Sequence, residues 1–115
     1  MAQTILVVED SAPVRGLVRF MLEQADYAVL EAANPQEALS AAQESRTGLD
    51  LAICDLHLPG GSGFETRDLL RGLFPAVKIL YMSGHDIGMP FSDGTGFILK
   101  PFRPDELLEK IRSMI

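Results

Sequence analysis

The chain has 115 residues, with 10 Lys and Arg against 16 Asp and Glu, giving a formal net charge of −6. That length holds one domain of ordinary size, and a composition of 47% hydrophobic and 23% charged residues suits a packed core rather than a disordered chain. The acidic balance argues against direct binding to nucleic acid or to an anionic membrane, the single Cys54 allows neither an internal disulfide nor a cysteine-built zinc site, and no apolar run reaches the roughly 18 residues of a membrane span.

Short apolar runs alternate with helical patterns in chain order. Thr4–Val8 predicts a fully buried strand, short, rich in branched residues and ended abruptly by Glu9-Asp10. That early stop is wrong for a secretory signal, so a soluble, cytoplasmic domain spanning 1–115 is expected. Val14, Leu17, Val18, Met21, Leu22 and Ala25 then form one apolar stripe on a helix, with Arg15, Arg19 and Glu23 off it. Ser11 or Asp10 can cap this helix, and Pro13 suits its first turn. Tyr27–Glu31 predicts a second strand.

Asn34-Pro35-Gln36-Glu37 is a helix start, with a cap residue, a proline at the first position and a glutamate three residues after the cap. The helix is expected to run to about Arg46 and to stop near Gly48. Leu49–Cys54 predicts a third strand ending at Asp55. A Pro59-Gly60-Gly61 loop and a helix from about Gly63 to Leu73 follow, closed by Pro75. Val77–Met82 predicts the fourth strand, ending at Ser83-Gly84. The stretch His85–Gly96, with glycines at 88, 94 and 96 and Pro90, leaves room for at most a short helical turn. Phe97–Leu99 predicts the fifth strand, ending at Lys100-Pro101. Pro104-Asp105-Glu106 starts the last helix, whose stripe is Leu107, Leu108, Ile111, Met114 and Ile115. Such alternation implies a parallel sheet with helices on both faces and right-handed crossovers.

In a sheet of that kind, ligands bind outside the carboxyl ends of the strands. Glu9 and Asp10 stand after the first strand, Asp55 after the third, Ser83 after the fourth and Lys100 after the fifth. Three carboxylates on one rim repel unless a cation lies between them. An all-oxygen cluster suits Mg²⁺ together with phosphate oxygens. Ser83 and Lys100 add a hydroxyl donor and a point charge for a phosphate group.

These residues resemble the receiver domain of bacterial two-component response regulators. The matching segments are Val8-Glu9-Asp10, Cys54 to Gly60 continuing through Gly63-Phe64-Glu65, Met82-Ser83-Gly84, and Leu99-Lys100-Pro101-Phe102. The resemblance covers essentially the whole chain and implies a flavodoxin-like, doubly wound, five-stranded parallel sheet of order 2-1-3-4-5. By the same resemblance Asp55 is the phosphoacceptor, and Mg²⁺ is held by Glu9, Asp10, Asp55 and the backbone carbonyl of His57. Ser83 is the switch hydroxyl, Phe97 the switch aromatic and Lys100 the phosphate-binding cation, joined to Pro101 by a cis peptide bond. The implied partners are a histidine kinase or histidine phosphotransfer protein, which donates from phosphohistidine, and a downstream protein. The run Ile79–Gly84 with Lys100-Pro101-Phe102 is similar to receivers fused to hybrid sensor histidine kinases, so the domain is expected to stand alone or within such a larger chain.

Two features set this sequence apart. His57 and His85, its two histidines, each lie two residues past a key position, where family members tune the lifetime of the phosphoryl group. The imidazoles are expected to make that lifetime pH-dependent near about 6 to 7. The interval from Ser83 to Lys100 is shorter than the family's by more than a helical turn, so the fourth helix is expected to be short or missing.

Each residue also has a plain reading. Glu9-Asp10 and Asp55 can serve as strand ends and caps, Ser83 as a turn residue, Phe97 as core, Lys100 as an exposed terminus, and the histidines as surface residues. Cys54 reads as a buried inert thiol. Three rival functions remain beside the phosphoacceptor. A degenerate receiver would act as an unphosphorylated docking module. A phosphohydrolase of the haloacid-dehalogenase type would need its nucleophile after the first strand and an acid where His57 stands. A nucleotide-binding protein would need a glycine-rich loop after the first strand.

Overall fold

A computed structural model describes residues 2–86, 88 and 94–115 of the chain. Five strands form one parallel sheet: β1 (Thr4–Val8), β2 (Ala28–Ala32), β3 (Leu51–Asp55), β6 (Lys78–Ser83) and β7 (Thr95–Leu99), in the order β2-β1-β3-β6-β7. This is the expected order 2-1-3-4-5, because β4 (His57–Leu58) and β5 (Gly61–Ser62) make a separate antiparallel ribbon beside the sheet. Among the described residues there are four helices: α1 (Ala12–Gln24), α2 (Pro35–Glu44), α3 (Gly63–Leu73) and α4 (Pro104–Met114). None of these is long and apolar enough to cross a membrane.

Side-chain alternation along the strands builds a core on each face of the sheet. Ile5, Val7, Leu51, Ile53, Leu80, Met82 and Ile98 pack under α1 and α4 through Val18, Leu22, Leu107 and Ile111. Leu6, Val8, Ala52, Cys54, Ile79 and Tyr81 pack under α2 and α3 through Ala38, Ala42 and Leu70. β1 and β3 are buried along their whole length, as befits central strands covered on both sides.

The helix starts follow their capping chemistry. The Ser11 hydroxyl accepts from the Val14 N–H at 3.4 Å, Asn34 Oδ1 from Glu37 at 2.9 Å and Ser62 Oγ from Glu65 at 3.2 Å. At α4 the Glu106 carboxylate reaches back to the Arg103 N–H at 3.2 Å. Gly63 opens α3 where the chain passes close to β3: a Cβ there would stand 2.8 Å from the Asp55 carbonyl oxygen and 3.2 Å from the Tyr81 ring.

Several boundaries differ from the sequence expectation. β2 is shifted one residue onward, to Ala28–Ala32, and α2 ends at Glu44 with Ser45 as its cap, before Arg46. β3 starts at Leu51 and includes Asp55, β6 runs Lys78–Ser83 and includes Ser83, and β7 starts at Thr95. Leu17, placed in the core stripe of α1, is 56% exposed, because the stripe that α1 buries is narrower and centred on Val18 and Leu22. The expected turn within His85–Gly96 falls largely on residues 87 and 89–93, outside the described ones. Among the described residues no helix lies between β6 and β7.

Candidate functional site

The carboxyl ends of β1, β3 and β7 carry the acids and the lysine to one rim. Glu9 and Asp55 sit in the rows of Ile5–Val7 and Leu51–Ile53, and Lys100 follows Ile98, so all three belong to the α1/α4 side. Glu9 is 2% exposed and Asp55 7%, whereas Asp10 is exposed. One carboxylate oxygen from each of Glu9, Asp10 and Asp55 lies within 4.8 Å of the other two.

Lys100 bridges the two buried acids. Its ammonium donates to Glu9 Oε1 at 2.5 Å and to Asp55 Oδ2 at 2.6 Å. The second Asp55 oxygen accepts the His57 backbone N–H at 2.9 Å, so both its oxygens are held before any ligand arrives. Burial above all pushes the Glu9 carboxyl above the usual carboxylate value, aided by the Asp10 and Asp55 carboxyls and opposed by Lys100. For Lys100 burial pulls the other way, but the hydrogen bonds to Asp55 and Glu9 outweigh it and hold its pKa above the ordinary lysine value.

Ser83 and Phe97 alternate onto the opposite side of the sheet. Ser83 is buried at the end of β6, where its hydroxyl accepts from the His85 N–H at 3.1 Å and its carbonyl from the Lys100 N–H at 2.8 Å. Phe97 pairs in register with Tyr81 and packs against the α2/α3 core. Tyr81 meets Phe64 with ring centroids 5.1 Å apart, and Arg67 lies 5.5 Å over Phe64 while donating to the Tyr81 hydroxyl at 3.4 Å. The Lys100–Pro101 peptide bond is cis. His57 and His85 both stand exposed.

The donor set fits a hard divalent cation. All the clustered donors are carboxylate oxygens, and three acids against one ammonium leave negative charge for a cation to balance. Cys54 offers no competing ligand, since burial holds its thiol protonated far above the usual range.

Sequence reading missed the residues that hold the acidic loop. Arg15 Nη1 donates to the Glu9 carbonyl at 2.7 Å and its Nε to Glu31 Oε1 at 3.1 Å, while Arg19 Nη1 takes Glu31 Oε2 at 2.5 Å. The four-residue spacing of Arg15 and Arg19 was the available signal, but their acceptor depends on how β1 and β2 pair.

Comparison with known proteins agrees with this geometry. The model of the response regulator receiver domain matches residues 5–112. The transcriptional regulatory protein ResD of Bacillus subtilis (strain 168) is 34% identical over 115 residues, covering 96% of this chain and 47% of ResD. Chemotaxis protein CheY4 of Vibrio cholerae superposes with a TM-score of 0.88 at 29% identity over 100% of both chains. Response regulator TrrA of Thermotoga maritima, solved in complex with Mg²⁺–BeF, superposes with a TM-score of 0.84 at 29% identity, covering 98% of this chain and 99% of that one. The chain spans about half the length of the curated relatives it matches.

Proposed function

The chain belongs to the receiver domains of response regulators, and from that premise we propose that Asp55 accepts a phosphoryl group from a phosphohistidine donor in a two-component phosphorelay. It is then a signalling module rather than a metabolic enzyme. Its partners are a histidine kinase or histidine phosphotransfer protein upstream and a protein target downstream, in the cytoplasm. The observation that carries this reading is the rim itself: Asp55, buried at a strand end, clusters with Glu9 and Asp10, and Lys100 bridges it to Glu9.

Mg²⁺ would be held by the carboxylates of Glu9, Asp10 and Asp55 and the backbone carbonyl of His57, and when bound it neutralises charge on the phosphoryl oxygens. TrrA, solved with Mg²⁺–BeF, supports that assignment by likeness. The chain's own residues do the rest. The Asp55 carboxylate oxygen attacks phosphorus, the bond to the donor imidazole nitrogen breaks, and a mixed acyl phosphate forms on Asp55. Phosphoryl transfer needs positioning and charge neutralisation more than covalent help from the protein. Lys100, already within hydrogen-bond distance of Asp55, is placed to meet the added negative charge. Beside Gly84 a Cβ would meet nothing within 4 Å, so the approach is open.

Once phosphorylated, Asp55 draws the Ser83 hydroxyl toward it, and Phe97 turns inward into the space released. Because Ser83 ends β6 and Phe97 lies in β7, the change alters the surface around these two strands, the fourth and fifth of the sheet. Such a shift needs only a few kcal/mol of differential contact. His57 and His85 flank the phosphoryl position and tune how fast water removes it.

Intact-mass measurement after incubation with Mg²⁺ and a small phosphodonor tests the proposal. Wild type should gain one hydroxylamine-labile phosphoryl adduct and Asp55→Asn none. Partner binding that persists undiminished in Asp55→Asn without a phosphodonor would favour an unphosphorylated docking module, and steady phosphate release from diverse monoesters a phosphohydrolase.

A further inference from the structure

The loop that carries Glu9 and Asp10 is anchored by residues of α1 and β2. The Glu9 N–H still pairs with the Ala32 carbonyl at 3.0 Å, the last rung of the β1–β2 ladder. Its carbonyl then leaves the sheet and needs another donor. Arg15, the fourth residue of α1, supplies it by folding back: Nη1 to the Glu9 carbonyl at 2.7 Å and Nε to Glu31 Oε1 at 3.1 Å. Glu31 pairs in register with Val7, whose side chain packs on the α1 side, so Glu31 faces the helix that bears Arg15 and Arg19. Arg19 takes the other Glu31 oxygen and keeps that carboxylate in place. The Arg15 and Glu31 side chains are 20% and 30% exposed, which leaves the bonds partly shielded from water.

The Glu9 carbonyl belongs to the Glu9–Asp10 peptide plane. Holding that oxygen restrains the plane, and with it the placement of the Asp10 nitrogen and Cα from which the side chain leaves. The planar guanidinium holds the carbonyl and the carboxylate in fixed directions through two separate N–H groups, a geometry that a rotatable lysine ammonium on its flexible stem does not reproduce.

We propose that Arg15 is a positioning residue for the cation site: tied to β2 through Glu31, it orients the Glu9–Asp10 peptide and so sets the affinity for Mg²⁺ without touching the ion. This inference rests on the Mg²⁺-dependent receiver reading above. Its sign separates it from simple electrostatics. Arg15 is a positive charge close to the acids, and its field alone weakens cation binding. Removing that charge would then tighten Mg²⁺ binding, whereas losing the clamp loosens it.

The experiment titrates wild type, Arg15→Gln, Arg15→Lys, Glu31→Gln and Arg19→Gln with MgCl₂ by calorimetry and by amide chemical shifts. Phosphorylation by a small phosphodonor is followed over the same Mg²⁺ range, and urea unfolding checks that each variant is folded. Both Arg15 variants should raise the Mg²⁺ dissociation constant about tenfold, in the range typical of groups that orient a metal ligand. Their phosphorylation rate at saturating Mg²⁺ should stay within about threefold of wild type, the mark of a role in affinity rather than in phosphoryl transfer. Glu31→Gln should follow Arg15→Lys in direction, and Arg19→Gln, which acts on Glu9 only through Glu31, should follow it by a smaller factor. Arg15→Lys keeps the charge and decides the matter if Arg15→Gln does not fold. Wild-type or tighter Mg²⁺ affinity in Arg15→Lys would overturn the proposal while leaving the receiver reading intact. Absence of Mg²⁺ uptake and of a phosphoryl adduct in wild type would overturn the receiver reading itself.

Discussion

The Lys100 ammonium lies 2.6 Å from Asp55 Oδ2 although 45 residues separate the two in sequence, and it reaches Glu9 Oε1 as well. Lys100→Met keeps the apolar stem and removes the charge, leaving two buried acids beside each other without a cation. The metal-free domain should lose about 1–3 kcal/mol at pH 7, the cost of leaving buried charged groups unpaired at a site that is partly open. The loss should shrink toward pH 4. Glu9 already has a raised pKa, and losing Lys100 raises it further. A raised carboxyl contributes its stability fully below the unfolded value and loses it as pH rises through the folded one. Urea unfolding at pH 4 and pH 7 without divalent cations checks this, and equal losses at the two values would refute it.

Local signals in the sequence carried most of the fold. Asn34-Pro35-Glu37 fixed the start of α2, because a cap, a proline and a back-reaching glutamate act within one turn. Ser62 and Pro75 bracket α3, whose limits agree with expectation at both ends. The β4–β5 ribbon was not legible, since two-residue strands show no alternation. Nor was the exposure of Leu17, because periodicity gives a stripe but not how much of it the neighbouring layer covers. At the site, the acids and Lys100 were legible because each ends a buried run, and strand ends share one rim in a parallel sheet. The Arg15–Glu31 clamp was not, because it needs the register that pairs Val7 with Glu31.

Gly63 couples the start of α3 to the strand end that carries Asp55. A Cβ there would meet the Asp55 carbonyl oxygen at 2.8 Å and the Leu56 Cα at 3.3 Å, both backbone atoms that cannot swing aside. Gly63→Ala should therefore destabilise the domain by roughly 1–3 kcal/mol, as overpacking does elsewhere. It should also slow phosphorylation under conditions where the variant is fully folded, since the end of β3 must shift. Gly84→Ala adds a Cβ to open space and should change stability by less than about 0.5 kcal/mol. Urea unfolding paired with initial phosphorylation rates separates the two, and matched behaviour would remove the argument for a steric link.

Glu31 gives a second pH dependence, of opposite sign to that of Glu9. Its hydrogen bond from Arg19, opposed by burial and joined by Arg15, holds its carboxyl below the usual value. A lowered carboxyl contributes stability above its unfolded pKa and loses it as pH falls through the folded one. Glu31→Gln should cost roughly 0.5–1 kcal/mol at pH 7, the range of partly exposed ion pairs. As pH falls through the folded pKa of Glu31 the difference between variant and wild type should shrink, because the carboxyl is then neutral in both folded and unfolded wild type. High salt should narrow the gap at pH 7 as well. A difference that persists unchanged at acid pH would point to packing rather than charge.

His57 and His85 stand in matched positions, each lending its backbone N–H to the functional side chain two residues before it: His57 to Asp55 Oδ1 at 2.9 Å and His85 to the Ser83 hydroxyl at 3.1 Å. Alanine substitution keeps both backbone bonds and removes only the exposed imidazoles, so it tests the rings alone. An imidazole beside the acyl phosphate can orient or deprotonate the attacking water when neutral and attract the phosphoryl charge when protonated. The doubly substituted domain should differ from wild type by at least about threefold in the rate of phosphoryl loss, a modest share of what a positioned base supplies. Its rate should also vary less with pH across about 5 to 8 once the two rings are gone. Each single variant should keep part of the profile, because the two rings approach from different strand ends. Phosphoryl decay followed by intact mass across that range, with the same rate and profile in wild type and double variant, would strip both histidines of this role.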